Sequence, residues 1–173
     1  MAVSPHAGVG AIAYATNARY AGFWLRFLAY LIDGLILGAA VMAVCIPFFF
    51  LMGGESLLES LPRYGREGFE PSQLTGFLAM LFPLIGLSLI VKWLYFAYLE
   101  SGEKQATWGK QILGLYVTDL SGNPISFGKA SGRFFAKIIS GLIPFAIGYI
   151  MAGFTERRQA LHDMIASCLV LRR

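Results

Sequence analysis

Charge is scarce in this sequence: only 14% of its 173 residues are Asp, Glu, Lys or Arg, against about 25% in an ordinary soluble domain. Cysteine is scarcer still, with Cys45 and Cys168 alone. They lack the close spacing of a metal site, and a disulfide between an apolar helix and the C-terminal segment is not expected. Residues 1–18 lack a basic stretch followed by an apolar core, so a cleavable leader is not expected and the first apolar helix reads as an uncleaved anchor. Gly109-Lys110 lacks the remainder of a phosphate-binding loop, and no serine sits in a G-x-S-x-G elbow. No nucleophile–base pair and no His/Cys/Asp cluster at zinc spacing is visible, so neither an enzyme, a metal nor a cofactor is expected.

What is abundant is apolar surface. Hydrophobic residues make up 57% of the chain and the mean hydropathy is +0.63. A soluble domain of this length has no interior large enough for that surface, whereas a bilayer absorbs it. The net charge of +4 is spread along the chain, which argues for membrane orientation and against nucleic-acid binding.

The runs divide the chain into one membrane domain. A loose tail is expected over 1–18, a first span over 23–52, and an acidic external loop over 53–73 with a short helix over 56–61. A second span covers 74–99 and ends in Trp93, Tyr95 and Tyr98 at the interface. Residues 100–128 are polar. Within them 112–119 and 124–127 read as the strands of a small hairpin about the turn Leu120–Asn123, with Ser167–Leu171 as a further strand, of which Cys168–Leu171 can pair with 112–119 if the third segment is broken or re-entrant. Lys129, Arg133, Lys137 and Ser140 share one face of an amphipathic helix. That face lies either on lipid headgroups or against a polar cavity. Residues 129–154, interrupted by Gly141, Pro144, Gly148 and Gly153, form a third segment that is broken or re-entrant, and 155–173 return as an amphipathic helix and final strand. The fold class is thus an all-α polytopic membrane protein: two full transmembrane helices, a third broken segment, and a cytoplasmic hairpin or three-stranded sheet.

Orientation follows from Lys and Arg. Eight of them (Arg19, Lys104, Lys110, Lys129, Arg157, Arg158, Arg172 and Arg173) fall on one side if the third segment does not cross fully, against two in the acidic loop (Arg63 and Arg66). This places the N-terminus, hairpin and C-terminus in the cytoplasm.

Asp33 stands out. Its short side chain lies too far into the first span to reach water, and a carboxylate there costs at least ~2.5 kcal/mol without a partner. Arg26 lies seven residues earlier on the same face, roughly 10 Å of rise away. Lys92 lies seven residues before the end of the second span, at matched depth in an antiparallel neighbour, which suggests an Asp33–Lys92 pair. That pair is either a structural ion pair or part of an ion- or proton-binding site. Asp163 reads either as a surface helix pair with Arg158 or Gln159 or as a cytoplasmic partner for the basic face of Lys129, Arg133 and Lys137. His162 beside it reads as a solvated or helix-end histidine.

These residues fall into a known pattern. Gly22-Phe23-Trp24-Leu25-Arg26, Ile32-Asp33, the stretch Ala106-Thr107-Trp108-Gly109-Lys110 through Asp119, Gly122–Phe127, Arg133-Phe134 and Gln159–Ala166 with Leu161-His162-Asp163 resemble the RDD family of bacterial membrane proteins. That family is named for one arginine and two aspartates, which match Arg26, Asp33 and Asp163. Ser167-Cys168 stands where members often have Gly-Thr. The resemblance implies a transport-related protein of the inner membrane, and for some members sodium–proton antiport. The expected function is transport of a small ion or solute, as cation/proton exchange at Asp33 with a monovalent cation or proton as ligand. Lys92, Arg133, Lys137 and His162 would act as supporting charges. A chain with about three spans encloses a pore poorly, so a homo-oligomer or a partner membrane subunit is expected in the bilayer. The rival expectation is a non-transporting scaffold or accessory subunit whose charges are structural.

Overall fold

The computed structural model describes residues 19–56, 58–59 and 71–173. The expected tail over 1–18 and most of the expected external loop and its short helix lie outside these residues.

Two long helices dominate. Helix α1 spans Phe23–Leu51 and α2 spans Pro71–Ser101. Alanine, leucine and straight-chain apolar residues sustain them. Pro47 and Pro83 lie inside without ending them, as membrane helices tolerate. At 1.5 Å per residue each exceeds the roughly 30 Å hydrocarbon core. Only 6% of the most apolar window of each is buried within the protein. Leu35, Leu51 and Phe82 are largely exposed. Water would not tolerate such faces; acyl chains cover them.

The chain divides into two compact units. Residues 35–92 form one: the later part of α1, the earlier part of α2 and the segment between them. The other comprises the described residues of 1–34 and all of 93–173, and it carries nearly all the polar chemistry.

In that second unit, Thr107 leads into the short helix α3, Trp108–Ile112. Gly114, at φ +68°, turns the chain into strand β1, Leu115–Asp119. Ser126 caps helix α4, Phe127–Leu142, by accepting a hydrogen bond from the Lys129 amide. A break follows at Ile143, and residues 144–153 leave at 118° to α4 as two 3-10 turns around helix α5, Ile147–Ile150. Helix α6, Leu161–Ile165, then leads to strand β2, Cys168–Arg172.

Strands β1 and β2 pair antiparallel, Val117 opposite Val170 and Asp119 opposite Cys168. Tyr20 bridges to Leu171, and the Ala21 amide donates to the Val170 carbonyl. The approach to α1, the exit from α2 and the C-terminal strand are therefore joined on one side. The small core of this unit is built from Ala21, Ala29, Ala97, Leu115, Val117, Ile125, Ala130, Cys168 and Val170. Alanines at these positions let backbones approach closely.

The two long spans and the broken third segment match the expectation. The hairpin does not form. Pro124–Ser126 carry no strand, and Phe127 belongs to α4. The partner of β1 is β2, because the tight turn at Asp119–Asn123 is used to launch α4: the Asp119 carboxylate accepts from the Ser121 and Asn123 amides and fixes a local turn without a returning ladder. Residues 155–160 also stay irregular, so the expected helix over 155–166 shrinks to Leu161–Ile165.

Candidate functional site

The carboxylate of Asp33 is 1% exposed. Its Oδ1 accepts from the Tyr95 hydroxyl at 2.8 Å and the Gly109 amide at 2.7 Å, and its Oδ2 accepts from the Thr107 hydroxyl at 2.6 Å. All three donors are neutral. The segment Thr107–Gly109 reaches Asp33 because residue 109 is glycine: a methyl group there would collide with the Ala29 carbonyl and the Asp33 side chain. The expected Lys92 partnership gives way to this arrangement. The polar segment after α2 folds back onto α1 and fills the acceptor sites, while Lys92 is an exposed residue.

The second aspartate anchors a larger charge network. Asp163 is fully buried. Its Oδ1 accepts from Arg133 Nε at 2.8 Å and lies 2.7 Å from Arg133 Nη2. Its Oδ2 pairs with Arg26 and accepts from the Ala160 amide at 3.1 Å. Arg26 also donates to the Ala21 carbonyl at 2.8 Å and the Arg158 carbonyl at 2.5 Å. Arg133 bridges onward to Glu100 Oε2 at 2.6 Å, and Glu100 Oε1 takes Lys110 Nζ at 2.5 Å. Lys137 Nζ stands 3.9 Å from Glu100 Oε1 and 3.8 Å from the centre of the Phe96 ring.

The electrostatics follow from this pairing. Burial by itself would raise the Asp163 carboxyl, but the guanidiniums of Arg133 and Arg26 outweigh it and hold the group well below the usual carboxylate range. Burial lowers Lys110, against the opposing pull of Glu100. Burial also lowers His162, to about 3; Asp163 opposes the shift, while Arg133, Lys137 and Arg26 reinforce it. His162 is thus a neutral ring, with Nδ1 3.3 Å from the Ser140 hydroxyl and its face tilted against Tyr149.

Four sequence readings are decided by this geometry. Arg26 partners Asp163, not Asp33, although both face the same side of α1: the guanidinium turns toward the α6 cap, where a carboxylate and two carbonyls converge. Of the two readings of Asp163, the surface pair with Arg158 or Gln159 does not form, and the partnership with the basic face of α4 does, through Arg133. The α4 stripe faces inward, with Ala130, Arg133, Ala136 and Ser140 buried, while Phe135, Ile138, Ile139 and Leu142 are exposed toward lipid. The polar-cavity alternative describes Arg133 and Lys137; the headgroup alternative does not. His162 is buried, not solvated. Sequence reasoning missed Glu100 and Lys110. The available signal was an acid ending a long apolar run, with a lysine ten residues later inside the Thr107–Lys110 stretch.

Above the network lies a cavity of about 350 Å³. Phe23, Phe27 and Tyr30 of α1, Phe96 of α2 and Tyr149 form much of its wall, and Arg26, Lys110, Arg133 and Lys137 supply its cations. Asp33 and His162 also border it. The described residues hold no cluster of three or more metal-ligating side chains.

The arrangement joins Arg26, Asp33 and Asp163 in one unit with the Thr107–Lys110 segment, and residues 20–167 match the RDD family. The chain belongs to the RDD family. Among curated relatives it is 38% identical over 153 residues to the uncharacterized protein YxaI of Bacillus subtilis (strain 168), covering 87% of this chain and 96% of that one. It is 30% identical over 159 residues to the uncharacterized membrane protein YteJ of the same organism, covering 88% of this chain and 80% of that one. No solved structure matches. In this RDD protein Arg26, Asp33 and Asp163 divide into two structural roles: Asp33 fastens the segment after α2, and Arg26 with Asp163 fastens the C-terminal segment to α1.

Proposed function

We propose that this RDD protein is a transport-related module of the bacterial inner membrane that binds, and helps to move, a small ion or solute at the cavity beside Tyr30 and Lys137. The cavity is the observation that carries the reading. An open pocket of this size, with largely apolar and aromatic walls and a few polar groups at its border, has the make-up of small-ligand sites. The site's frame is already complete: among the described residues no buried side-chain polar atom lacks a hydrogen-bond partner, so the space is not needed to hydrate the network. The excess of Lys and Arg on the side carrying the sheet supports a cytoplasmic placement for that side and for the N-terminus. With two long spans, a translocation path calls for a second copy or a partner membrane subunit.

Cation/proton exchange is one form of this reading. A cation bound at Asp33 would have to displace hydrogen bonds from three fixed donors, Tyr95, Thr107 and Gly109. Reconstitution into liposomes containing a pH-sensitive dye tests the transport claim. Under imposed sodium, potassium or solute gradients, flux is expected in wild type and is expected to survive in properly folded Asp33→Asn. Absence of any flux across the gradients tried would overturn it. The alternative, a non-transporting scaffold or accessory subunit, is favoured by the full satisfaction of the charge network, and it requires that flux be absent while the fold remains intact.

A further inference from the structure

The cavity has three properties that together restrict its occupant. First, its basic and acidic groups are unequal in number. Four basic side chains, Arg26, Lys110, Arg133 and Lys137, meet three carboxylates, Asp33, Glu100 and Asp163, so one basic group has no carboxylate of its own. That group is Lys137. Arg133, Lys110 and Arg26 each sit in close contact with a carboxylate, whereas Lys137 reaches no carboxylate among the described residues nearer than 3.9 Å, and that oxygen already takes Lys110. Its side chain stays 20% exposed. Second, the walls above the cations are chiefly aromatic. Third, the mouth is lateral. Tyr30 is 64% exposed and Phe27 44% exposed although both line the cavity. They occupy the second and third turns of α1, a stretch in which Trp24, Leu28 and Leu31 are exposed as well, an apolar surface suited to lipid.

We infer that the cavity takes the anionic end of an amphiphile drawn from the bilayer, a phosphate or carboxylate group held at Lys137 with its acyl chain leaving past Phe27 and Tyr30. A volume of about 350 Å³ is at the small end of ligand sites. It admits a headgroup and the first carbons of a chain, not a whole phospholipid. The inference rests on the cavity being the working site and names the chemistry of what enters it.

Native mass spectrometry of the full chain released from nanodiscs provides the test. The discs contain phosphatidylcholine alone, or phosphatidylcholine with phosphatidylglycerol or oleate, and a separate arm supplies inorganic phosphate to the phosphatidylcholine discs. One phosphatidylglycerol or oleate per chain should be retained in preference to phosphatidylcholine. Lys137→Gln should weaken that retention by about 10- to 100-fold, the loss of a hydrogen bond to a charged group, and Lys137→Arg should restore most of it. Tyr30→Trp, which crowds the mouth while leaving the network untouched, should also weaken it; exposed Arg157→Gln should not. Equal retention of neutral and anionic lipid, or unchanged retention in both Lys137→Gln and Tyr30→Trp, would overturn the inference. Binding of inorganic phosphate to the same level as the amphiphiles would overturn the amphiphile and identify a soluble anion instead. Flux without selective retention defeats the inference and leaves the transport reading. Retention without flux defeats transport and leaves the inference.

Discussion

Arg133 is the residue on which the charge network turns, since it is 2% exposed and shared by Glu100 and Asp163. Removing one member of a buried ion pair strands the others in a medium that solvates them poorly. Arg133→Met is therefore expected to cost about 3–5 kcal/mol of stability. Arg133→Lys should recover little, because a lysine cannot present the fork that serves two carboxylates. Thermal unfolding in detergent checks both, and a Lys variant as stable as wild type would refute the shared-fork account. His162 makes a separate prediction. An unfolded histidine titrates near about 6.5, whereas burial holds this one down to about 3. Between those values the unfolded chain binds a proton that the folded chain does not, so stability falls as pH drops through that window. The midpoint temperature should decline between about pH 7 and about pH 5, and His162→Gln should flatten the decline; Asp163 does not blur the test, because its loss begins only below the ordinary carboxylate range. The three family residues were legible at this scale as unusual charges, but their partners were not. Spacing along one helix ranks neighbours on that helix, whereas Arg26 and Asp163 meet across 137 residues of chain.

At the scale of elements, the bend after α4 is the least relaxed part of the structure. Phe145 and Ala146 have φ of +58° and +54°, a region that costs a non-glycine residue about 1–2 kcal/mol. The bend is kept because Tyr149 donates to the Lys137 carbonyl and because Gly148 lies so near Ser140 that a side chain would not fit. Ala146→Gly should be neutral to stabilising by up to about 1 kcal/mol, and Ala146→Val should destabilise, since a β-branched residue fits this region worst. A stabilising Val variant in thermal unfolding would contradict the bend. Sequence exposed the break itself, through Gly141, Pro144 and Gly148, and exposed the two long spans through hydropathy. It misled on the hairpin because turn chemistry at Asp119–Asn123 is the same whether a strand or a helix follows. Short strands such as β1 owe their form to a partner far along the chain.

For the whole molecule, the pairing of β2 with β1 and with Tyr20 fixes topology more firmly than charge counting. The two candidate spans, α1 and α2, are followed by a third segment bent by 118°, and the sheet keeps β2 beside β1 and Tyr20. Tags at residue 18 and residue 173 should therefore show the same accessibility from one face of intact cells or spheroplasts, and a tag near residue 65 the opposite. Opposite labelling of the two termini would require β2 to leave its partner and would refute the fold described for this unit.

The same pairing has a consequence for how the protein is made. Strand β1 emerges from the ribosome about 48 residues before its partner begins, a wait of roughly 2 to 10 s at about 5–20 residues per second. Over that interval Arg26, Glu100 and Arg133 have already entered the bilayer region or its edge without the carboxylate of Asp163, and β1 offers an open edge. The polar end can therefore close only after the chain has been made through β2, since Asp163 and Cys168–Arg172 supply the missing partners.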